Sequence, residues 1–488
     1  MLVFVLLCAP AAVSAADNPS ATSFVKTSGT EFTLDGMPFF VAGVNNHYLP
    51  YGSHEEVARV LDDAAAMGAN VVRIILQPVV VSLDGSVATI WNWKLQGETS
   101  DLAVNGTYLL YWDTVQNRTA INDGADGIGK VDFLVTEAGK RRMKFIIAFL
   151  EFYTYTGGAQ QMRPWYGSQD ESGFFFKDRP TKQDYRTWLS YVVQRVNPLT
   201  GRAYRDDPAI MAWELMNVGN ASPESLRLAW TPEMSAHFKS LDPNHLVSSG
   251  NANMIAKMAD LMILTLDFGA WHGYPLFYKL TITQFNDTIT EFCQLALRAR
   301  KPVLLEEFGY ARSNGDSAEA YGMWLDTLAR DPNCAGWVVW RQDSGRYPVD
   351  EYEHFDIRND ASLLWNIPKA GAERAVQTPE KQPGVRKCPG APMTAPSACR
   401  TEATNARNPT GERKRSSKMI DASVVICAYT LDRWDDLDAA IASVRLVLRD
   451  RQQYQLFGDD REMPFPDRAL EPILSRQLEE FGGRFGTF

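Results

Sequence analysis

Eight short apolar runs separated by helical patterns, spread over residues 30 to 375, constrain this chain more than any other feature. The runs are Phe39–Val44, Val71–Leu76, Phe145–Leu150, Ile210–Met216, His245–Ser249, Met262–Phe268, Pro302–Leu305 and Ala335–Trp340. Between the first two, Ser53-His-Glu-Glu56 reads as a capping box. Val57, Val60, Leu61, Ala64 and Met67 follow at helical spacing, and Gly68 ends the helix. Tyr185, Trp188, Leu189, Val192 and Val193 mark a second helix; Phe292, Leu295, Ala296 and Ala299 mark a third. Strands alternating with helices favour a parallel sheet. Eight such units fit an α/β fold in which eight parallel strands close into a β/α barrel. A doubly wound open sheet is the structural alternative.

The two ends of the chain differ from this middle. Leu2–Leu7 is apolar, and Val13-Ser-Ala15 offers small residues before Ala16, so residues 1–15 read as a secretory leader without the usual basic start. A secreted or periplasmic mature chain follows. Export leaves five cysteines in an oxidising compartment: Cys293, Cys334, Cys388, Cys399 and Cys427. Cys388 and Cys399 flank a Pro-rich loop and could bridge; Cys293 and Cys334 lie in apolar surroundings and read as core residues. Residues 380–418 hold five prolines and nine basic against three acidic residues, the composition of a disordered linker within 376–418. A buried-strand pattern returns at Ala422–Tyr429.

Charge and motifs exclude several functions. A net charge of −10 argues against a nucleic-acid partner, which needs a basic face. No apolar run in the mature chain is long enough to span a membrane. The six histidines are scattered and no C-x-x-C occurs, so no metal or cofactor is expected. Gly124-Ala-Asp-Gly-Ile-Gly129-Lys130 imitates a phosphate loop, but Val131 replaces the Ser or Thr that would hold magnesium and no apolar strand precedes it; it reads as a polar loop feeding a helix. No serine-hydrolase elbow is present.

The chemistry sits at strand ends, where a barrel places its active site. Glu307 follows the seventh run, just past Glu306, and Trp340 ends the eighth. Trp213-Glu-Leu-Met-Asn217 ends the fourth, and His272-Gly-Tyr274 follows the sixth. Arg73 lies in the second, and Glu151 ends the third. Residues 77–127, rich in Trp, Tyr and Asn, follow the second strand and are expected on the same face. Hydroxyl-rich ligands need dense hydrogen bonding, and aromatic faces pack on pyranose rings. These residues therefore point to sugar.

The order of these residues resembles glycoside hydrolase family 5, in its β-mannanase-like branch, over about residues 24 to 375. Gly43-Val-Asn-Asn-His-Tyr48, Thr156-Gly-Gly-Ala-Gln-Gln161, Asp206-Asp-Pro-Ala-Ile-Met-Ala-Trp-Glu-Leu215, Leu241-Asp-Pro-Asn-His245 and Glu306-Glu-Phe-Gly309 carry the likeness. The resemblance implies retaining hydrolysis of a β-linked polysaccharide, mannan-like or glucan-like, with two glutamates about 5–5.5 Å apart. It assigns the nucleophile to Glu307 and the surrounding subsite to Arg73, Asn217, His272, Tyr274 and Trp340. One departure stands out. The family follows Asn217 with the acid/base glutamate; this chain has Val218. Glu214, by strand parity, lies about 13 Å deeper and cannot substitute. Glu151 is the best substitute acid. The alternative is a non-catalytic carbohydrate-binding pseudoenzyme. Separately, Ser423-Val-Val-Ile-Cys-Ala-Tyr-Thr430 with Asp432-Arg-Trp434 resembles the opening of a family 2 glycosyltransferase, and the resemblance implies a truncated remnant over 419–488.

Overall fold

The computed structural model describes residues 23–77, 79–87, 99–100, 103–104, 106–153, 157–254, 259–346, 354–360, 365–366 and 368. The chain divides into two units, 1–394 and 395–488, and all described residues belong to the first. The expected leader, the linker, the transferase-like fragment and Cys388, Cys399 and Cys427 lie outside the described residues.

Eight parallel strands form the central sheet: β1 Val41–Asn45, β2 Val71–Ile75, β3 Lys144–Ala148, β4 Ile210–Glu214, β5 Leu246–Ser248, β6 Gly269–Gly273, β7 Val303–Phe308 and β8 Gly336–Val339. The hydrogen-bonded order is β5-β4-β3-β2-β1-β8-β7-β6. Pairing of β8 with β1 rolls the sheet into a nearly closed barrel. At the β5/β6 seam the backbone bonds Asp267 N→Val247 O (2.9 Å) and His272 N→Ala252 O (2.8 Å) cross the gap. The open-sheet alternative is thereby excluded.

Helices α1 His54–Met67, α2 Ile128–Lys140, α3 Arg179–Gln194, α4 Ser225–Leu241, α5 Ile282–Ala299 and α6 Ser317–Arg330 fill the crossovers. Helix α1 starts as the sequence predicts: Ser53 Oγ accepts from Glu56 N, and Glu56 Oε2 accepts from Ser53 N. It ends at Gly68 with φ +85°, a conformation that favours glycine. The imitation phosphate loop runs into α2. An N-terminal antiparallel hairpin, Lys26–Ser28 with Glu31–Leu34, contributes Phe32 and Leu34 to an apolar cluster with Val41, Val71, Ile146, Met211 and Leu304. Among the described residues, no helix is long and apolar enough to cross a membrane.

Two expectations need correction. The sixth strand is Gly269–Gly273, not Met262–Phe268. Asp267 interrupts that apolar run: its carboxylate accepts from Lys239 Nζ and from Val247 N, drawing the segment into a bend while Leu264 stays exposed. Glycines at both ends hid the true strand from a propensity reading. Cys293 and Cys334 are a disulfide rather than free core thiols. Helix α5 and the turn before β8 bring their Cα atoms to 4.9 Å, a separation the bond requires. The bond closes a loop of 41 residues. Replacing both cysteines with alanine should lower the unfolding free energy by about 3–4 kcal/mol, read by denaturant titration; an unchanged midpoint would contradict the assigned role.

Candidate functional site

The carboxyl ends of the strands surround a cleft of about 810 Å3, its open mouth included. Six of the sequence-predicted residues besides position 218 line it: Glu151, Asn217, His272, Tyr274, Glu307 and Trp340. Val218 lines it too. Arg73 lies beneath, fully buried. Residues as distant in sequence as Arg73 and Trp340 thus meet because the parallel strands end at one rim.

Arg73 organises the floor. Its Nη1 donates to Glu307 Oε1 (2.6 Å) and to Asn45 Oδ1 (3.0 Å); its Nη2 donates to Asn217 Oδ1 (2.6 Å). Its Nε donates to Glu214 Oε2 at 3.0 Å, and Nη2 lies 2.8 Å from the same oxygen. Glu306 Oε2 is 3.6 Å from Nη2. Burial opposes the charge of Arg73, but Glu214, Glu306 and Glu307 outweigh it and hold its pKa well above the usual arginine value. Three carboxyls face one guanidinium: Glu214 and Glu306 are fully buried beside it, and Glu307 opens onto the cleft. Burial, against the pull of Arg73, pushes Glu214 well above the ordinary carboxyl range and Glu306 upward as well.

Glu307 stands above this floor. Tyr274 Oη donates to its Oε2 at 2.7 Å, and His272 Nδ1 lies 3.2 Å from the same oxygen. His272 Nε2 faces Glu306 Oε2 at 3.3 Å. Burial lowers the His272 pKa to about 4, so the ring is neutral near pH 7. Trp340 packs with Ala311, Phe355 and the half-buried Tyr274, and forms a hydrophobic wall.

Position 218 carries no ionisable group. Val218 has φ +49°, in the left-handed region that a β-branched residue seldom adopts. Its backbone is held there by Val218 N→Gly250 O (2.9 Å), with Asn217 N→Leu150 O (2.8 Å) just before it. The site's shape at this point is set by the strand ends, not by the side chain. Glu214 is buried against Arg73 below the cleft, as strand parity predicted.

Glu151 is buried at the cleft wall and accepts from Asn217 Nδ2 (2.5 Å) and Tyr153 N (3.0 Å). Burial, with a contribution from the charge of Glu307, raises its pKa to about 8 against the pull of those hydrogen bonds and of Arg73. Sequence reading missed His47, Gln77, Tyr153, Phe277 and Tyr278, which also line the cleft. His47 was within reach, because it lies in the Gly43–Tyr48 stretch that closes β1. Phe277 and Tyr278 sit in a loop with no periodic signal.

Cys293, Cys334 and Asp331 cluster closely enough to suggest a metal, but both sulfurs are spent in the disulfide.

The description "GH family 5 beta-mannosidase-like" matches residues 105–265. A probable mannan endo-1,4-beta-mannosidase F of Neosartorya fischeri is 27% identical over 358 residues, covering 68% of this chain and 72% of that one. A putative mannan endo-1,4-beta-mannosidase 9 of Oryza sativa subsp. japonica is 29% identical over 65% of this chain and 81% of its own. Among solved structures, the endo-1,4-beta-mannanase from Rhizomucor miehei superposes with a TM-score of 0.62 and 26% identity, over 73% of this chain and 100% of that one.

The raised Glu151 carboxyl has a consequence for stability. The folded state keeps its proton up to about pH 8, while the unfolded chain releases it near 4.5. Between those values the native state binds more protons, so this group's contribution is full at low pH and is lost as pH rises through about 8. Glu151→Gln should flatten the decline of unfolding free energy on the alkaline side, measured by urea titration from pH 5 to 9; an unaltered slope would contradict the assignment. Barrel, strand-end site and kinship together make this chain a glycoside hydrolase, similar to the mannanase branch of family 5.

Proposed function

We propose that this protein is an exported, retaining hydrolase of a β-linked polysaccharide, mannan-like before glucan-like, with Glu307 as its nucleophile. The observation that carries the reading is the grip on Glu307: Arg73 holds one oxygen at 2.6 Å and Tyr274 the other at 2.7 Å, within a cleft walled by Trp340. Two fixed donors orient the carboxylate toward one face of a bound sugar, as in-line attack on an anomeric carbon requires. His272 and Asn217 offer polar contacts to ring hydroxyls, and Trp340, Tyr274 and Phe277 offer apolar faces. The mannan preference rests on the relatives, whose names specify mannan. Export is supported by the Cys293–Cys334 disulfide, which persists in oxidising compartments, together with the apolar Leu2–Leu7 stretch.

The reaction runs in two displacements. Glu307 attacks the anomeric carbon and expels the leaving sugar, forming a glycosyl ester on its own oxygen. Water then attacks the same carbon from the opposite face and frees Glu307. Two inversions give net retention.

One observation favours a second reading. Val218 removes the acid/base from its family position, and the same binding residues also suit a sugar-binding protein without turnover. Substrate assays decide between the two. We expect soluble β-1,4-mannan oligosaccharides to be cut, with the β anomer as the first product in a proton NMR time course. An α anomer appearing first would contradict retention. Tight binding of mannan with no hydrolysis of any donor would favour the second reading.

A further inference from the structure

The proposed chemistry needs a proton donor that position 218 cannot supply. Among the described residues lining the cleft, Glu151 and Glu307 are the carboxyl groups. We propose that Glu151 is the catalytic acid/base, moved from the end of the fourth strand to the end of the third. This rests on the reading of Glu307 as nucleophile.

The sheet register carries the argument. Ala148 pairs with Glu214, and the same parallel register continues to an isolated bridge between Glu151 and Asn217. Glu151 therefore sits on the neighbouring strand end, one residue short of the level of Val218. A strand spacing of about 4.8 Å and a rise of about 3.3 Å place the two Cα atoms roughly 6 Å apart. A glutamate side chain spans that distance. Glu151 can thus put its carboxyl into space that a glutamate at 218 would occupy, while the apolar Val218 leaves that space unfilled by charge.

Hydrogen bonds fix its direction. Arg73 can only donate, so the Asn217 amide must turn its Oδ1 toward Arg73 and its Nδ2 toward Glu151. A single chain then links the two carboxyls: Glu151 Oε2, Asn217 Nδ2 and Oδ1, Arg73 Nη2 and Nη1, and Glu307 Oε1. Tyr153 N holds the second oxygen of Glu151. Two donors on a carboxyl still leave lone-pair positions for a proton facing the cleft. The titratable groups bearing on it are Glu307, which raises its pKa, and Arg73, which lowers it; burial outweighs both.

Glu307 forms a bond to the anomeric carbon as the bond to the glycosidic oxygen breaks. Glu151 gives its proton to that oxygen, which leaves as a sugar hydroxyl. Esterified Glu307 no longer repels the ionised Glu151. Glu151 then takes a proton from water as the water oxygen attacks the anomeric carbon, and the ester bond to Glu307 breaks. Both glutamates return to their starting states.

The test compares the full chain with Glu151→Gln, Glu307→Gln and the double variant Glu151→Gln with Val218→Glu. Each is assayed on β-1,4-mannan oligosaccharides and on 2,4-dinitrophenyl β-mannoside, whose leaving group departs without a proton, with and without azide. We expect Glu151→Gln to lower kcat/KM on mannan about 10²–10⁴-fold, with a far smaller loss in the first-turnover burst from the aryl donor. Azide should then accelerate its turnover and yield β-mannosyl azide, an effect that a purely structural role for Glu151 would not produce. The double variant should recover mannan cleavage. The parent should lose mannan activity above about pH 8. Mannan cleavage by Glu151→Gln at the parental rate, or a slow Glu151→Gln with no azide response, overturns the proposal. A parent that turns over the aryl donor but not mannan overturns it while leaving Glu307 intact. A parent inert toward both donors brings down the Glu307 reading first.

Discussion

The guanidinium of Arg73 is the interaction on which the site depends. It is fully buried in the middle of β2 and ties together groups from β1, from β4 and the segment just after it, and from β7: Asn45, Glu214, Asn217 and Glu307. An arginine in a closed layer is tolerated only when its fork is matched by acceptors. Here the match is also a scaffold. Each acceptor that satisfies Arg73 is thereby held in one orientation, including Glu307 through its Oε1 and the Asn217 amide that reaches Glu151. Glu214 and Glu306 complete the layer as buried carboxyls whose pKa values burial pushes upward, against the pull of Arg73. Lysine at position 73 could not reproduce this, because an ammonium lacks the planar fork that addresses four partners at once.

Much of the barrel was legible because its signals are local. The Ser53–Glu56 capping box and Gly68 bracket α1 by backbone chemistry that needs no tertiary context. The strand-end placement of Glu307 and Asn217 followed from where apolar runs stop, whereas His272 was set after a run that is not the strand. The sixth strand was misplaced because Gly269-Ala-Trp-His-Gly273 has little intrinsic preference for extended structure and is held there by its neighbours, while the run before it is broken by Asp267. The disulfide was missed for a related reason: Cys293 and Cys334 look like core residues in any short window, and only the packing of α5 beside the approach to β8 brings them together. Phe277 and Tyr278 reach the cleft from a loop whose path no periodicity encodes.

Val218 shows how sequence and structure inform different questions. The sequence places a valine where the family it resembles carries an acid. The structure adds that the backbone at this position remains in its left-handed turn, pinned by Gly250, although valine is poorly suited to it. The barrel rim at this point holds Glu307, its donors and the aromatic walls of the cleft around position 218. Function then turns on whether another carboxyl can serve the same oxygen, and the β3–β4 register brings Glu151 beside that point.

The most direct test of the account is to identify the residue that bonds to the sugar. Incubation with 2-deoxy-2-fluoro-β-mannosyl fluoride makes the ester form faster than it breaks, and peptide mapping by mass spectrometry then locates it. The account predicts a single added fluoromannosyl group on the peptide containing Glu307, absent from Glu307→Gln. A label on Glu151 or on any other residue would contradict it.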